Sequence, residues 1–214
     1  MDDNSSSVKI GLKITILSIT LSIVLSLIKF TSGIIGSSNA LVSDGVNSLS
    51  DIVGYGILLL SLAYSGKKAD KEHPYGHEKI ESIVSLFYAL AIVLTGAIIG
   101  YIGFLKLTQP KGFSGPTVVA LIGAIVSLII KGYLYVVTYK GAIKTQSSSL
   151  KALSADHLSD VIATSGALLG IIIATLGFPM FDPLASLFIS LFIIINGFKV
   201  LKASFNILMD VSAD

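Results

Sequence analysis

Residues 150–176 read LKALSADHLSDVIATSGALLGIIIATL, a run that is long and apolar enough to cross a bilayer as one helix. Two aspartates, Asp156 and Asp160, stand four positions apart inside this run. Residues at that spacing lie on one face of an α-helix. Ionisable side chains at membrane depth are costly and are rarely kept without a functional reason. The stretch therefore predicts a membrane-spanning helix with a functional pair of carboxylates.

An earlier stretch nearly repeats this one. The sequence NSLSDIV, which begins at Asn47, matches DHLSDVI, which begins at Asp156, and each has an aspartate at its fifth position, Asp51 and Asp160. Each stretch lies near the start of a long apolar run, so the two predicted helices carry matching pairs of oxygen-bearing side chains. If the helices face each other, the four side chains supply four oxygen ligands at one depth, which predicts a cation site inside the membrane.

The composition is that of a membrane protein. Of the 214 residues, 53% are hydrophobic and only 13% are charged, whereas soluble domains have about 25% charged residues; the mean hydropathy is +0.85. The apolar runs are too long for barrel strands and predict helices. There is no cysteine, which excludes disulfides and thiolate metal sites. The polar start lacks a basic region and a cleavage site, so no cleaved signal peptide is expected. The net charge of +2 is unremarkable, and no nucleic-acid partner is expected.

The apolar segments predict an all-α membrane protein, a bundle of six transmembrane helices over residues 10–208. Each segment has roughly the 20 residues that a bilayer requires. The connections are short, so successive helices are expected to be antiparallel neighbours. The predicted spans are Ile10–Ile35, Ala40–Ser65, Ile80–Leu107, Pro116–Tyr139, Leu150–Leu176 and Pro183–Leu208.

The loop lysines predict the orientation, because cytoplasmic loops are enriched in basic residues. One side of the predicted bundle has only Lys106 and Lys111, so the other side, with both termini, is expected to be cytoplasmic. Residues 1–9 then form a cytoplasmic N-terminal segment. The lysines on the predicted cytoplasmic side are Lys9, Lys13, Lys67, Lys68, Lys71, Lys79, Lys140, Lys144, Lys151, Lys199 and Lys202.

The ligand types narrow the choice of cation. Coordination by oxygen alone suits Mn²⁺, Mg²⁺ or Ca²⁺, whereas Zn²⁺ sites more often include His or Cys. His157 is rotated about 100° from Asp156 on the helix and is not expected to be a ligand. Three carboxylates packed together cannot all stay ionised without a cation, because desolvation and mutual repulsion disfavour the charged forms. Departure of the ion therefore favours proton uptake, which is a physical basis for metal/proton antiport.

The acidic residues in the predicted membrane helices have two further possible roles. Asp44 precedes Asn47 by three positions on the same stripe of the helix. It is either an accessory metal ligand one turn above the site or a residue that orders the start of the helix. Alternatively, acids in the membrane can pair with lysines, and Lys29 and Lys131 lie within the first and fourth predicted spans.

The loop between the second and third spans offers a second candidate metal site. Asp70, His73 and His77 have a spacing that can hold Zn²⁺ or a similar ion. The alternative is a solvated surface turn, which Pro74 and Gly76 suit equally well.

Together these motifs make the chain resemble the cation diffusion facilitator family over essentially its whole length. The resemblance implies a homodimeric exporter that moves divalent metal out of the cytoplasm in exchange for protons. It implies a transport site at Asn47, Asp51, Asp156 and Asp160, and in some members a loop site that matches Asp70, His73 and His77. The matching motifs are Ser43-Asp44-Gly45-x-x-Ser48-x-x-Asp51, His73-Pro74-Tyr75-Gly76-His77-x-Lys79-x-Glu81 and Asp156-x-x-x-Asp160.

Two departures from the family pattern refine this expectation. Zinc-transporting members usually place a His among the four ligands, whereas this chain has Asn47 and Asp156 at those positions. That pattern resembles the manganese or iron/manganese branch, in agreement with the ligand chemistry. Members usually continue into a cytoplasmic metal-binding domain, so residues 209–214 are interpreted as the start of a linker to a domain that this chain lacks.

The leading interpretation is a secondary transporter for Mn²⁺ in a prokaryotic plasma membrane. Mn²⁺ is its transported substrate, and no cofactor is expected. A Zn²⁺, Fe²⁺ or broad-range exporter is the first alternative, followed by a passive cation channel and by a non-transporting partner subunit. An enzyme is not expected, because no nucleophile and base pair is evident. Glycines spaced four apart, such as Gly96 and Gly100, predict close helix packing or a dimer contact.

Overall fold

In the computed structural model the protein is a bundle of α-helices. The structure describes residues 2–64, 78–108 and 115–209, and these residues contain six helices and no strand. The all-α prediction is therefore confirmed. The helices are α1 (Asp2–Ile35), α2 (Asn39–Tyr64), α3 (Glu78–Thr108), α4 (Val118–Thr145), α5 (Ser148–Thr175) and α6 (Phe181–Leu208).

Five of the described helices, all except α2, are long and apolar enough to cross a membrane. Helix α2 spans 26 residues, so it has the necessary length. Its first half carries the polar residues of the predicted site. Helix α1 begins at Asp2 and therefore includes residues that the sequence placed in a separate N-terminal segment.

The helix ends follow local chemistry. Ser147 precedes α5, and its hydroxyl accepts a hydrogen bond from the backbone N–H of Leu150, as is typical of an N-terminal cap. Gln146 ends α4 in the left-handed conformation, with φ of 52°, so α4 and α5 are joined by a very tight turn. Gly177 has φ of 105°, which only glycine adopts readily, and it turns the chain out of α5 toward α6.

The helices do not all pack against the next helix in the sequence. Helices α1 and α2 pack together, as do α4 and α5, but α3 lies chiefly against α6, and among the described residues α3 and α4 make no substantial contact. The expectation that all successive helices are neighbours is wrong at this point. The reason lies in the small residues of α3: a side chain at Gly96 or Gly100 would collide with α6, and one at Gly103 would be tightly packed against it. The predicted close approach at these glycines thus occurs within the chain.

The interior of the bundle is more polar than a soluble core. One face of α1 carries five buried polar side chains at helical spacing. Three of them, Ser18, Ser26 and Lys29, form hydrogen bonds with α2 or α5, the helices that bear the predicted site. The outer faces are apolar, with Ile129 on α4 and Phe188 on α6 each about two-thirds exposed. The described part of the chain is therefore apolar outside and polar inside, as a bilayer requires. The buried polar residues of α1 are Thr15, Ser18, Ser22, Ser26 and Lys29.

Candidate metal centre

Three carboxylates from two helices meet inside the bundle. Asp51 on α2 and Asp156 and Asp160 on α5 each offer an oxygen atom, and these atoms all lie within 4.8 Å of one another. The spacing of four residues puts both acids of α5 on the face that packs against α2. Asp160 is buried, whereas Asp51 and Asp156 are half-buried. The cluster has the donor type and spacing that an oxygen-coordinated divalent cation needs.

Asn47 joins this cluster from α2. Its side-chain amide Nδ2 donates a hydrogen bond to Oδ1 of Asp160 at 3.0 Å. All four residues of the predicted transport site are therefore gathered at one depth of the bundle. The described contact uses the amide nitrogen of Asn47, so its immediate role is to orient the Asp160 carboxylate.

Lys131 on α4 places a positive charge against the same cluster. Its Nζ lies 3.0 Å from Oδ2 of Asp51 and 2.5 Å from Oδ2 of Asp160, and its side chain is fully buried. The sequence named Lys131 only as one of two lysines that could pair with an acid. The structure shows that this pairing exists and that it involves two of the predicted ligands.

Tyr55 holds the third carboxylate. Its hydroxyl donates to Oδ2 of Asp156 at 2.8 Å and lies 3.2 Å from Nδ1 of His157. Because the hydroxyl has one hydrogen, a neutral His157 donates to Tyr55 through Nδ1 and accepts from Ser18, whose Oγ is 3.0 Å from Nε2. His157 thus faces α1 and Tyr55, as its predicted exclusion from the ligands requires.

Sequence reasoning missed Tyr55. Its position offered a signal, because it follows Asp51 by four residues and so shares the face of α2 that bears the site. The structure adds that its ring packs edge-on against His157, with ring centroids 5.2 Å apart. Tyr55 therefore fixes the orientation of both side chains that are adjacent in sequence on α5.

Asp44 lies apart from the carboxylate cluster. Its Oδ2 is 2.8 Å from Nζ of Lys29 and accepts a hydrogen bond from Oγ1 of Thr164 at 2.8 Å. Lys29 also donates to Ser48 at 2.9 Å and to Thr164 at 3.2 Å. Asp44 therefore belongs to a second buried network that ties α1, α2 and α5 together, and the lysine-pairing alternative describes its position.

A cavity of about 450 Å³ adjoins the carboxylates and is lined by Asn47, Asp51, Tyr55 and Asp156, among others. It extends along α5 as far as Ser149, which lies about 10 Å from Asp156 along the helix axis. This is the end of the bundle at which α5 begins and α4 ends, where the described lysines are concentrated. The cavity therefore connects the cluster with the lysine-rich end.

The Lys29 and Asp44 network lies on the other side of the cluster. Asp44 precedes Asp51 by about 10 Å along α2, toward the end opposite the cavity. The cavity thus adjoins the site on one side, and the buried ion pair of Lys29 and Asp44 lies on the other. The proposed loop ligands Asp70, His73 and His77 lie outside the described residues.

Comparison with known proteins agrees with this geometry. Residues 15–209, nearly the whole chain, match the family model of the cation efflux transmembrane domain. This region includes most of α1, all of the other five helices and every residue of the cluster.

Individual relatives support the same assignment. The chain is 28% identical over 213 residues to the manganese efflux system protein MneP of Bacillus subtilis, an alignment that covers 96% of this chain and 71% of the relative. It is 32% identical over 197 residues to the magnetosome protein MamM of Magnetospirillum gryphiswaldense, covering 91% and 62%. It is 33% identical over 217 residues to the metal tolerance protein C1 of Arabidopsis thaliana, covering 94% and 46%. The chain spans less than two thirds of the length of the last two.

Proposed function

Because this chain belongs to the cation efflux, or cation diffusion facilitator, family of metal transporters, we propose that it exports divalent cations through the cluster of Asp51, Asp156 and Asp160. The observation that carries the proposal is that these three carboxylates, from two helices, lie within 4.8 Å of one another beside an interior cavity. Asn47 completes the site by holding Asp160. Members of the family are transporters rather than enzymes, and the cation is the substrate.

We propose Mn²⁺ as the preferred ion. The side chains that meet at the cluster offer oxygen atoms, and His157, the nearest nitrogen ligand in sequence, is turned toward Tyr55 and Ser18. Oxygen ligands favour harder cations, whereas Zn²⁺ binds more often to nitrogen or sulfur. A relative that is named as a manganese efflux protein supports the same choice. Export of Zn²⁺, Fe²⁺ or several divalent ions is the alternative.

Protons are the proposed counter-ions. With Asp51, Asp156 and Asp160 ionised and Lys131 positive, the cluster carries a net charge of −2, which one divalent cation neutralises. When that cation leaves, a net charge of −2 in a low-dielectric interior is unfavourable. Uptake of protons by the carboxylates relieves it. Exchange of a metal ion for protons therefore follows from the charge of the site.

The cavity supports a route for the ion. It runs from the carboxylates to the lysine-rich end, which the positive-inside rule assigns to the cytoplasm. On the other side of the cluster, Lys29 and Asp44 form a buried ion pair between α1 and α2. The described conformation is thus proposed to load metal from the cytoplasm. Release to the other side requires this second network to separate.

The remaining features of the proposal are a homodimer, a multi-pass location in a prokaryotic plasma membrane, and a loop site at Asp70, His73 and His77. The membrane location is supported by the five described helices that are long and apolar enough to cross a bilayer. Relatives in Bacillus subtilis are consistent with a bacterial cell.

Flux measurements in proteoliposomes with a trapped pH dye test the proposal. Saturable Mn²⁺ uptake that exceeds Zn²⁺ uptake and moves protons the opposite way would support it. Equal or faster Zn²⁺ uptake would overturn the choice of metal, and uptake without proton movement would indicate a channel. The Asp160→Asn variant is the control, because it preserves the shape of the side chain and removes one ligand charge.

A further inference from the structure

We propose that Lys131 is a built-in counter-ion that competes with the transported metal for Asp51 and Asp160, and so sets both the affinity of the site and its selectivity for divalent charge. This inference rests on the proposed function, since it assumes that the three carboxylates bind the metal. It adds a residue from α4 to a site that the sequence placed on α2 and α5 alone.

The distances show why the two cations compete. Nζ of Lys131 is in hydrogen-bond contact with one oxygen of Asp51 and one of Asp160, at 3.0 and 2.5 Å. A metal that bridges these same two oxygen atoms would stand about 2.0 to 2.6 Å from each of them, in the region that the ammonium group fills. Both cations cannot occupy that region, so metal binding requires Lys131 to withdraw from at least one carboxylate.

The charge of the cluster then selects the charge of the ion. Three ionised carboxylates with Lys131 give a net charge of −2, which a divalent ion neutralises. Without Lys131 the cluster would have a net charge of −3 and would suit a trivalent ion better. Buried charges interact strongly because the local dielectric constant is low. Lys131 therefore discriminates between ions by charge, independently of the geometry of the ligands.

The same contact links occupancy to helix packing. Helices α2 and α4 otherwise touch only slightly, so the ion pair between Lys131 and Asp51 is a principal link between them. When metal displaces the ammonium group, this link is weakened. Binding of the ion thus weakens the contact of α4 with α2, which is the kind of differential contact that a conformational change needs.

Isothermal titration of the purified full chain with Mn²⁺ and with La³⁺ tests this role. Lys131→Gln is expected to bind Mn²⁺ at least about tenfold more tightly than the unchanged protein, because the competing charge is gone. The gain for La³⁺ is expected to be larger than the gain for Mn²⁺. Lys29→Gln is the matched control: it removes an equally buried lysine that contacts Asp44 and not the cluster, and it should change both affinities much less than Lys131→Gln does.

The outcomes separate this inference from the proposed function. If the unchanged protein binds Mn²⁺ and Lys131→Gln binds it no more tightly, the counter-ion role is wrong while the metal site stands. If the unchanged protein binds no Mn²⁺, the proposed site itself fails and the inference with it. If Lys131→Gln does not fold, the Lys131→Arg variant provides the test, because a guanidinium group pairs with two carboxylates more strongly than the ammonium group of lysine does. Weaker Mn²⁺ binding by Lys131→Arg supports competition, and unchanged binding overturns it.

Discussion

Asn47 on α2 donates a hydrogen bond to Asp160 on α5 across 3.0 Å. The two residues belong to the two near-repeats of the sequence, and each sits at a different end of its motif. Their contact shows that the repeats meet face to face. It brings Asp51, Asp156 and Asp160 to a separation that one ion can span.

Asp160→Asn is expected to reduce Mn²⁺ affinity at least about a hundredfold, because it removes the charge of one of the three carboxylate ligands. Asp44→Asn is the matched control, since Asp44 is also a buried acid on the site-bearing helices but pairs with Lys29. It should lower stability and keep Mn²⁺ binding. Titration calorimetry of both variants checks this. Equal losses of affinity would show that Asp44 acts as a ligand after all.

Asp156→His is expected to shift transport toward Zn²⁺. The substitution places a nitrogen ligand in an oxygen cluster, and Zn²⁺ accepts imidazole more readily than Mn²⁺ does. The ratio of Zn²⁺ to Mn²⁺ flux in proteoliposomes should rise at least about tenfold, a change in preference of about 1.4 kcal/mol. An unchanged ratio would place selectivity outside the cluster.

Tyr55→Phe is expected to weaken Mn²⁺ binding about tenfold, because the variant loses the hydrogen bond that orients Asp156 while its ring still packs on His157. Equilibrium Mn²⁺ binding measures the effect. Tyr101→Phe is the control, because it removes the hydroxyl of an exposed tyrosine on α3 that does not line the cavity beside the cluster, and it should bind as the unchanged protein does. If Tyr55→Phe also binds normally, Asp156 needs no such support.

The pair of Lys29 and Asp44 is expected to behave as a unit in stability. Lys29→Met leaves Asp44 buried without its cation and should reduce the free energy of unfolding by about 3 to 5 kcal/mol. The double variant Lys29→Met with Asp44→Leu should recover most of that loss. Thermal unfolding in detergent provides the measurement. Additive losses in the double variant would show that the two side chains do not depend on each other.

The meeting of the four predicted ligands could be foreseen because it depends on local rules. A spacing of four residues fixes a shared face within one helix, and the near-repeat suggested that α2 and α5 present those faces alike. The cost of charge in lipid indicated that the acids needed a cation. These arguments require only the sequence of each helix. The same is true of the all-α fold, since the apolar runs decide it.

The acids that the two lysines contact could not be predicted from the sequence, because these contacts depend on how the helices pack together. Which acid Lys29 or Lys131 reaches depends on which helices are neighbours, and helical periodicity gives no information on that. The placement of α3 against α6 rather than α4 has the same origin, since the glycines of α3 indicate close packing but not the helix that fills the space. Tyr55 lay on the correct face of α2, yet its two partners were decided by the approach of α5.

We expect one divalent ion to bind between Asp51, Asp156 and Asp160 and to displace Lys131. Anomalous diffraction at the manganese edge, from crystals of the protein grown with Mn²⁺, tests it most directly. We expect a single strong anomalous peak within the described bundle, at coordination distance from all three carboxylates. Nζ of Lys131 should have moved away from Asp51 or Asp160. Crystals saturated with Mn²⁺ in which Lys131 still bridges Asp51 and Asp160 and the peak lies elsewhere would contradict it.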